Sequence, residues 1–181
     1  MTDPSVSVVL CTFNGASYIG EQIDSILGQS HPPDEIVIAD DGSSDETLEI
    51  ASRQIARAAS TTRPQLEILK VTDGLGAAGN FSRALAAASA DVVFLADQDD
   101  VWRRDKIEWQ MEALARHPRV LLSASNARLL DAAGDDVPTA AAQGDAQRLP
   151  PSALSRIPYG RRCLLRLRTE ISRRERRNGS G

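Results

Sequence analysis

The chain has 181 residues, 41% of them hydrophobic, and a formal net charge of −4. This length and apolar fraction suit one domain with a sizeable core, and they exclude a chain that is disordered throughout. The sequence contains no run of about eighteen apolar residues that would predict a transmembrane helix, and we expect no signal peptide. Two distant cysteines, Cys11 and Cys163, predict neither a disulfide framework nor a zinc site, so a cytoplasmic location is expected.

Apolar β-branched runs alternate with segments of helical periodicity over the first 125 residues. The predicted strands are Val6–Leu10, Glu35–Ala39, Leu66–Val71, Asp91–Ala96 and Val120–Ser125. Four helices are predicted, each with an apolar face that would pack on the sheet. In chain order these faces are Ile19, Ile23 and Ile26; Leu48, Ala51, Ile55 and Ala58; Phe81, Ala84, Leu85 and Ala88; and Ile107, Met111 and Leu114. Ser43 and Glu46 have the spacing of a capping box before the second helix. The alternation predicts an α/β fold with a mostly parallel sheet and helices on both faces.

Polar clusters follow four of the predicted strands. They are Thr12–Asn14, Asp40–Ser43, the glycine-rich turn at Gly74–Gly79, and Asp97–Asp100. Ligands of open α/β sheets bind beyond the carboxyl ends of the strands. The sequence therefore predicts a binding site at this edge.

Three aspartates occur within four residues in the stretch "DQDD", residues 97–100. In an extended chain, Asp97 and Asp99 would point to the same side. Two such carboxylates suit Mg²⁺ or Mn²⁺, which is usually completed by water and substrate phosphates. The alternative is an acidic loop that caps the following helix, which is the simplest role for Asp100. Trp102 is interpreted as a packing residue.

The pair Asp40 and Asp41 also has two interpretations. A carboxylate can accept the imide N–H of uracil or thymine, so one of them could read a base. The alternative is that Asp41 and Gly42 form a turn. Asn14 is likewise more typical of a turn or a cap than of a ligand contact.

The glycine-rich turn, Gly74-Leu75-Gly76-Ala77-Ala78-Gly79, is a literal G-x-G-x-x-G. It follows a strand and precedes a helix, which is the context of a dinucleotide-binding fingerprint. An NAD-dependent oxidoreductase is therefore an alternative function. Against it, polar Thr72 and Asp73 separate the turn from the strand, and the other acidic clusters are left without a role.

Taken together, the motifs resemble the nucleotide-sugar half of inverting family 2 glycosyltransferases with the GT-A fold. The resemblance rests on "VSVVLCTFNGASYIGEQIDSILGQS", "DEIVIADDGSSDET", "GNFSRAL" and "ADVVFLADQDDVWRRDKIE". The resemblance covers residues 5–131. Within the first and last stretches, the sequences "EQIDSIL" and "DQDDVW" look most like those of rhamnosyltransferase-type members that build bacterial surface polysaccharides.

The resemblance implies a role for each matching residue. Thr12, Phe13 and Asn14 would line the nucleotide pocket, and Asp40 would read the base with Asp41 beside it. Asp97 would approach the ribose or the metal, and Asp99 would bind the Mg²⁺ or Mn²⁺ that holds the diphosphate. The donor would be a dTDP- or UDP-sugar, and the acceptor a glycan or a polyprenyl-linked sugar.

The sequence departs from the family pattern at two places. Gly79 stands where the family often has a basic residue that helps to bind the nucleotide. The family also places its general base in the second half of the domain, and no segment after Asp131 matches that half. The catalytic base is therefore unknown, and Glu170 and Glu175 are not assigned to the role. The chain is expected to be a truncated form, and a non-catalytic truncated paralogue is a further alternative.

Residues 132–181 form the second predicted unit, a linker followed by a basic tail. From Pro150 onward there are nine arginines and only two glutamates. Leu164, Leu167 and Ile171 have helical spacing on this basic background. Three interpretations stay open: an out-of-frame or truncated sequence, a basic segment at the inner face of the cell membrane, or a nucleic-acid-binding tail. The lack of interleaved aromatic residues disfavours nucleic acid as a partner.

Overall fold

A computed structural model describes residues 3–58, 63–71 and 74–125, together with the backbone of three short strands beyond them. The strands are β1 (Val6–Thr12), β2 (Glu35–Asp40), β3 (Gln65–Lys70), β4 (Val92–Asp97), β5 (Leu122–Ser125), β6 (Leu129–Leu130), β7 (Asp136–Val137) and β8 (Arg162–Leu165). The helices are α1 (Ile19–Leu27), α2 (Thr47–Arg57), α3 (Gly76–Ala87) and α4 (Lys106–Arg116). Among the described helices, none combines the length and the apolar content needed to cross a bilayer.

The main sheet has the strand order β3-β2-β1-β4-β8-β5. β1 pairs in parallel with both β2 and β4, and β2 pairs in parallel with β3. β8 runs antiparallel between β4 and β5. This is the mostly parallel α/β sheet that the sequence predicts. β6 and β7 form a separate antiparallel pair.

Two apolar layers cover the two faces of the sheet. Alternate residues of β1, β2 and β4 face α1, α2 and α4 in the larger layer, and the remaining residues face α3 in the smaller one. The larger layer includes Val8, Leu10, Ile23, Ile36, Ile38, Ile55, Phe94 and Ile107. Every residue of β1 and β2 is buried, which explains why these strands read as continuous apolar runs.

β3 departs from that pattern because it lies at the edge of the sheet. It pairs with β2 alone, and four of its six residues are exposed. Leu66, at 38% exposure, is one of them. An edge strand has no neighbour on one side, so its apolar sequence does not by itself guarantee burial.

Two local predictions are wrong. The capping box is not formed, because the Ser43 hydroxyl binds Asp40, and the Thr47 N–H at the start of α2 is taken by the Asp45 carboxylate. The helical spacing in the basic tail does not produce a helix at Arg162–Leu165, which is strand β8. Pairing with β4 and β5 overrides the local periodicity there. Leu167 and Ile171 lie outside the described residues.

The segment that follows β4 is fixed to the end of α1. Ser25 Oγ accepts the Trp102 N–H at 3.0 Å, and Gln29 Nε2 donates to the Arg103 carbonyl at 2.6 Å. Gln29 Oε1 accepts the Ile107 N–H at 3.0 Å, which satisfies one of the free N–H groups in the first turn of α4. The chain leaving β4 is therefore held against α1 before α4 begins.

Trp102 packs in the core as predicted, and it carries a lysine on its ring. The ring is 5% exposed and lies 5.9 Å from that of Phe94, centroid to centroid. Lys106 Nζ is 4.6 Å from the Trp102 ring and donates to Ser125 Oγ at 3.3 Å. Burial lowers the pKa of Lys106 to about 8. The folded chain therefore holds a partly desolvated ammonium group at neutral pH.

We expect Lys106→Met to be more stable relative to wild type at about pH 7 than at about pH 10. The pKa of Lys106 is lower in the folded chain than its ordinary value of 10.5, so the cost of burying the ammonium is complete below about pH 8. That cost is relieved as the pH rises from about 8 to 10.5, because the folded chain loses this proton before the unfolded chain does. Urea unfolding at both pH values should show the stability difference between the variant and wild type narrowing by roughly 2–3 kcal/mol. A difference that stays constant with pH would contradict the role of Lys106.

Candidate functional site

Four loops converge at the carboxyl edge of the sheet, as the sequence predicts. β1 to β4 are mutually parallel, so their last residues lie along one edge. The register places Thr12 beside Asp40 on one side of β1, and Cys11 beside Asp97 on the other. The clusters at 12–14, 40–43, 74–79 and 97–100 are thereby brought to the same edge.

The Asp40 carboxylate, 2% exposed, holds the end of β2 and its turn. It accepts hydrogen bonds from the Thr12 hydroxyl at 2.8 Å and the Ser43 hydroxyl at 2.5 Å. It also accepts the backbone N–H groups of Gly42 at 3.2 Å and Ser43 at 2.9 Å. Gly42 has φ of 93°, a conformation that favours glycine. Asp40 therefore organises the loop around it.

The loop after β1, residues 13–16, is here named the Phe13 loop. Asn14 has φ of 47°, in the left-handed region that asparagine tolerates. Its N–H donates to Ser43 Oγ at 2.9 Å, and its Oδ1 accepts the Ser44 N–H at 2.9 Å. Asn14 thus shapes a turn, which is the simpler of its two interpretations.

The Phe13 loop also binds the start of α2. The Gly15 N–H donates to Thr47 Oγ1 at 2.8 Å, and the Ala16 N–H donates to the Asp45 carboxylate at 3.1 Å. The Thr47 hydroxyl donates to Asp45 and is the main reason that the pKa of this carboxyl lies below its ordinary value. The first two loops of the site therefore form one hydrogen-bonded unit.

Asp41 binds the glycine-rich turn. Its carboxylate accepts the N–H of Leu75 at 2.6 Å and of Gly76 at 2.9 Å, at the start of α3. A negative charge is favourable at a helix N-terminus. Gly76 has φ of 68°, which requires the freedom of glycine. Two of the N–H groups that could otherwise cradle a pyrophosphate are therefore occupied by Asp41.

Polar side chains of α3 satisfy the last carbonyl groups of β2 and β3. Asn80 Nδ2 donates to the Ala39 carbonyl at 2.7 Å, and Arg83 donates to the carbonyls of Asp40 and Leu69, each at 3.1 Å. Arg83 brings a positive charge to an edge that carries several carboxylates. Arg83 lies in "GNFSRAL", one of the stretches that carry the family resemblance, but no role was predicted for it from the sequence.

Gly79 has no side chain where the resemblance led us to expect a basic residue. An ideal Cβ at this position would lie 2.9 Å from the Cβ of Leu75. A side chain at position 79 would therefore require Leu75 to shift. Leu75 is itself 50% exposed and forms part of the wall of the site.

The acidic turn, residues 97–100, begins at the last residue of β4. Asp97 and Asp99 are exposed, and Asp100 is 2% exposed. The expectation of extended chain through Asp99 is wrong: β4 ends at Asp97, and Gln98 and Asp99 lie in a turn. The physical reason is that β1, the parallel neighbour, leaves the ladder at Cys11 and offers no further strand partner.

Beyond the end of the β1–β4 ladder, the Gln98 side chain pairs with the backbone of Phe13, the residue that follows β1. Its Oε1 accepts the Phe13 N–H at 2.9 Å, and its Nε2 donates to the Phe13 carbonyl at 3.0 Å. The acidic turn is thereby joined to the Phe13 loop. Sequence reasoning passed over Gln98 as the middle letter of a D-x-D. The available signal was chemical, since a glutamine carries one donor and one acceptor group as a peptide unit does.

The metal site predicted at Asp97 and Asp99 would need ligands from elsewhere. Within the described ranges, no group of three or more His, Cys, Asp or Glu residues could hold a metal ion. Two exposed carboxylates at a strand end still fit Mg²⁺ or Mn²⁺, because these ions are often bound by one or two carboxylates and completed by water and substrate phosphates. The donor set therefore suits a cation that arrives with a phosphate ligand.

Cys11 lies beneath this edge as a core residue. It is 9% exposed and packs with Val9, Ala39 and Val93. Burial raises the pKa of its thiol, and the nearby Asp97 carboxylate adds to the effect. The thiol therefore stays protonated and is unsuited to act as a nucleophile.

An open groove of about 750 Å³ lies beside the ends of β2 and β3. It is lined by Asp40, Gly42, Ser43, Leu48, Lys70, Val71 and Leu75. The Phe13 side chain at the same edge is 55% exposed. The edge thus combines exposed apolar surface with carboxylates and backbone polar groups, a combination typical of ligand sites.

Comparison with known proteins gives consistent matches. The sequence profile of glycosyl transferase family 2 matches residues 7–137. The putative teichuronic acid biosynthesis glycosyltransferase TuaG of Bacillus subtilis is 35% identical over 109 residues, covering 60% of this chain and 41% of that protein. The UDP-Glc:alpha-D-GlcNAc-diphosphoundecaprenol beta-1,3-glucosyltransferase WfgD of Escherichia coli is 30% identical over 121 residues, covering 65% of this chain and 44% of that protein.

A solved structure agrees with these relatives. The mannosyltransferase PcManGT of Pyrobaculum calidifontis, in complex with GDP-Man and Mn²⁺, aligns with a TM-score of 0.62 and 29% identity. The alignment covers 70% of this chain and 37% of that chain. The fold is therefore GT-A-like, as expected. The chain spans less than half the length of each of these three proteins.

Asp40→Asn should destabilise the chain by about 1–3 kcal/mol, because the amide can keep one acceptor oxygen for the Gly42 and Ser43 N–H groups but replaces the oxygen that accepts the Thr12 and Ser43 hydroxyls with an –NH₂ donor. Urea unfolding measures the change. Glu112→Gln is the matched control: Glu112 lies in an exposed ion pair with Arg116, whose loss should cost less than about 1 kcal/mol. Equal effects in the two variants would show that Asp40 does not hold the loops together.

Proposed function

The chain belongs to glycosyl transferase family 2, and we propose on that premise that it binds a nucleoside-diphosphate sugar at the carboxyl edge of its sheet and transfers the sugar to a glycan or lipid-linked acceptor. The single observation that carries the proposal is the convergence of the Phe13 loop, the Asp40–Ser43 turn and the acidic turn at that edge. Open α/β sheets bind nucleotides at such an edge.

We assign the nucleotide to the surface formed by Thr12, Phe13, Asn14, Asp40, Asp41 and Asp97. The exposed Phe13 ring offers a face against which a base can stack. Thr12, Asn14 and Asp40 act by fixing the loops, since their polar atoms are engaged with neighbouring groups. Support comes from PcManGT, whose structure contains GDP-Man.

We assign the divalent cation to Asp97 and Asp99, with phosphate oxygens and water completing its ligands. Mn²⁺ is present in the PcManGT complex, and either Mn²⁺ or Mg²⁺ suits carboxylate and phosphate oxygens. When bound, the cation supplies positive charge that stabilises the departing nucleoside diphosphate.

The reaction exchanges one bond at the anomeric carbon for another. An acceptor hydroxyl attacks from the face opposite the diphosphate, the new C–O bond forms as the old one breaks, and the configuration inverts. The proton of that hydroxyl passes to a general base. Glu170 and Glu175 lie outside the described residues, and we assign the base to neither.

For the donor we propose a dTDP- or UDP-sugar. The motifs "EQIDSIL" and "DQDDVW", which resemble those of rhamnosyltransferase-type members, suggest dTDP-rhamnose. For the acceptor we propose a glycan or a polyprenyl-linked sugar, since the name of WfgD specifies a diphosphoundecaprenol-linked acceptor. Work on such a lipid would place the chain at the cytoplasmic face of the membrane. The arginine-rich tail after Pro150 suits peripheral contact with anionic lipid there.

The oxidoreductase alternative is disfavoured by the structure of the glycine-rich turn. The N–H groups of Leu75 and Gly76 donate to Asp41, where a dinucleotide fingerprint would offer such groups to a pyrophosphate. The family match over residues 7–137 favours the same conclusion.

Asp99→Ala should abolish the Mn²⁺-dependent part of nucleotide binding. In wild type, UDP or dTDP at about ten times its dissociation constant with Mn²⁺ should add roughly 1.4 kcal/mol, a rise in melting temperature of about 3–5 °C. A thermal unfolding scan with and without Mn²⁺ measures the shift. Asp24→Ala, which removes an exposed carboxylate from α1, should keep the full shift.

NAD serves as the second control in the same scan. A shift with NAD that is indifferent to chelator would overturn the glycosyltransferase proposal in favour of the oxidoreductase. No shift with any nucleotide would favour the non-catalytic alternative. Equal Mn²⁺-dependent shifts in wild type and Asp99→Ala would remove Asp99 from the metal site while leaving the nucleotide site in place.

A further inference from the structure

We propose that Gln98 is a positioning residue that makes cation binding and nucleotide binding cooperative, because its side chain links the acidic turn to the Phe13 loop. The inference rests on the proposed function, which places the cation on Asp97 and Asp99 and the nucleotide on the Phe13 loop. It concerns the coupling between these two parts of the site.

The link consists of two hydrogen bonds to one residue. Gln98 Oε1 accepts the Phe13 N–H at 2.9 Å, and Gln98 Nε2 donates to the Phe13 carbonyl at 3.0 Å. Both backbone polar groups of Phe13 are therefore fixed by one carboxamide. The orientation of the half-exposed Phe13 ring thus depends on where Gln98 stands.

Gly15 provides the space that this link requires. An ideal Cβ on Gly15 would lie 2.2 Å from Oε1 and 2.4 Å from Cδ of Gln98. The φ angle of Gly15 is not in the left-handed region. Among the glycines of the described ranges, only Gly42 and Gly76 have φ angles in that region. Glycine is therefore needed at position 15 for its lack of a side chain, and an alanine there would displace the carboxamide.

The other side of the Phe13 loop is already fixed. The N–H groups of Asn14, Gly15 and Ala16 donate to Ser43, Thr47 and Asp45 at the β2–α2 connection. The freedom that remains to the loop lies on the side of Phe13, where Gln98 joins it. The position of Gln98 in turn follows that of Asp97 and Asp99, its two neighbours in the chain.

Cooperativity follows from this arrangement. A cation held by Asp97 and Asp99 would further restrain the acidic turn, and with it the Gln98 carboxamide that binds Phe13. A nucleotide that binds afterwards no longer pays for ordering the Phe13 loop. By linkage, the nucleotide must strengthen cation binding by the same factor.

A purely structural role for Gln98 predicts something different. If the side chain only maintained the shape of the loop, its loss would weaken nucleotide binding equally with and without cation. The ratio of the two dissociation constants separates the cases, because it reports the coupling and not the affinity itself.

Isothermal titration calorimetry of UDP, or of dTDP if that binds wild type more tightly, with and without saturating Mn²⁺ gives this ratio. The variants are Gln98→Met, which keeps the bulk of the side chain and removes both hydrogen bonds, and Gly15→Ala, which keeps Gln98 and displaces its carboxamide. The control is Gln65→Met. Gln65 is exposed at the start of β3, at the amino ends of the parallel strands, whereas the site lies at their carboxyl ends.

We expect the ratio of the dissociation constants without and with Mn²⁺ to fall about fivefold or more in both variants, whatever the change in metal-free affinity, and to stay unchanged in the control. The double variant should show no further loss, since both changes break the same link. Gly15→Ala decides the question if Gln98→Met does not fold.

Two results would overturn the inference, and they differ in what they imply. If Mn²⁺ strengthens nucleotide binding equally in wild type and in both variants, the coupling by Gln98 is wrong while the proposed metal–nucleotide site stands. If Mn²⁺ has no effect on nucleotide binding in wild type, the proposed metal–nucleotide site fails and the coupling fails with it.

Discussion

The site depends on one constraint, which is that the strand ends of a parallel sheet leave backbone polar groups without ladder partners. Buried or half-buried N–H groups of this kind must find other acceptors. At the end of β2 the almost fully buried Asp40 carboxylate is such an acceptor. It accepts hydrogen bonds from two backbone N–H groups and from two hydroxyl groups. Asp41 and Gln98 do the same for the neighbouring loops. The hydrogen bonds that satisfy the backbone also join the loops into one surface.

The same groups explain why an edge rich in carboxylates can be stable. Like charges that face one another cost free energy unless each is hydrogen-bonded or paired. Asp40 and Asp41 meet N–H and hydroxyl donors, and Arg83 adds a positive charge at the ends of β2 and β3. Asp97 and Asp99 stay exposed at the end of β4, where a cation can approach. The division is between carboxylates that build the site and carboxylates that remain accessible to a ligand.

A large part of the site could be predicted from the sequence, and the limits of that prediction are instructive. The clusters at Thr12–Asn14, Asp40–Ser43 and Asp97–Asp100 could be placed at one edge because parallel strands fix which of their ends meet. Whether Asp40 faces a ligand or its own turn could not be predicted, since both uses need a carboxylate at the same position. The pairing of Gln98 with Gly15 could not be predicted either. Their relation is a contact between residues 83 positions apart, and nothing in the local pattern of either segment encodes it.

The sequence by itself determined the alternation of strands and helices, the parallel arrangement of β1 to β4 and the face that each helix buries, because these follow from hydrophobic periodicity and chain connectivity. It also determined the family, through motifs that are individually weak and jointly specific. The tertiary structure decided where the donors and acceptors of the loops are satisfied, and two local patterns were not followed. At α2, the Ser43 Oγ that a capping box would use accepts the Asn14 N–H from the Phe13 loop, and at Arg162–Leu165 strand pairing replaced helical spacing. In both places a hydrogen bond to a residue distant in the chain competes with one available locally, and only the assembled fold sets which is formed.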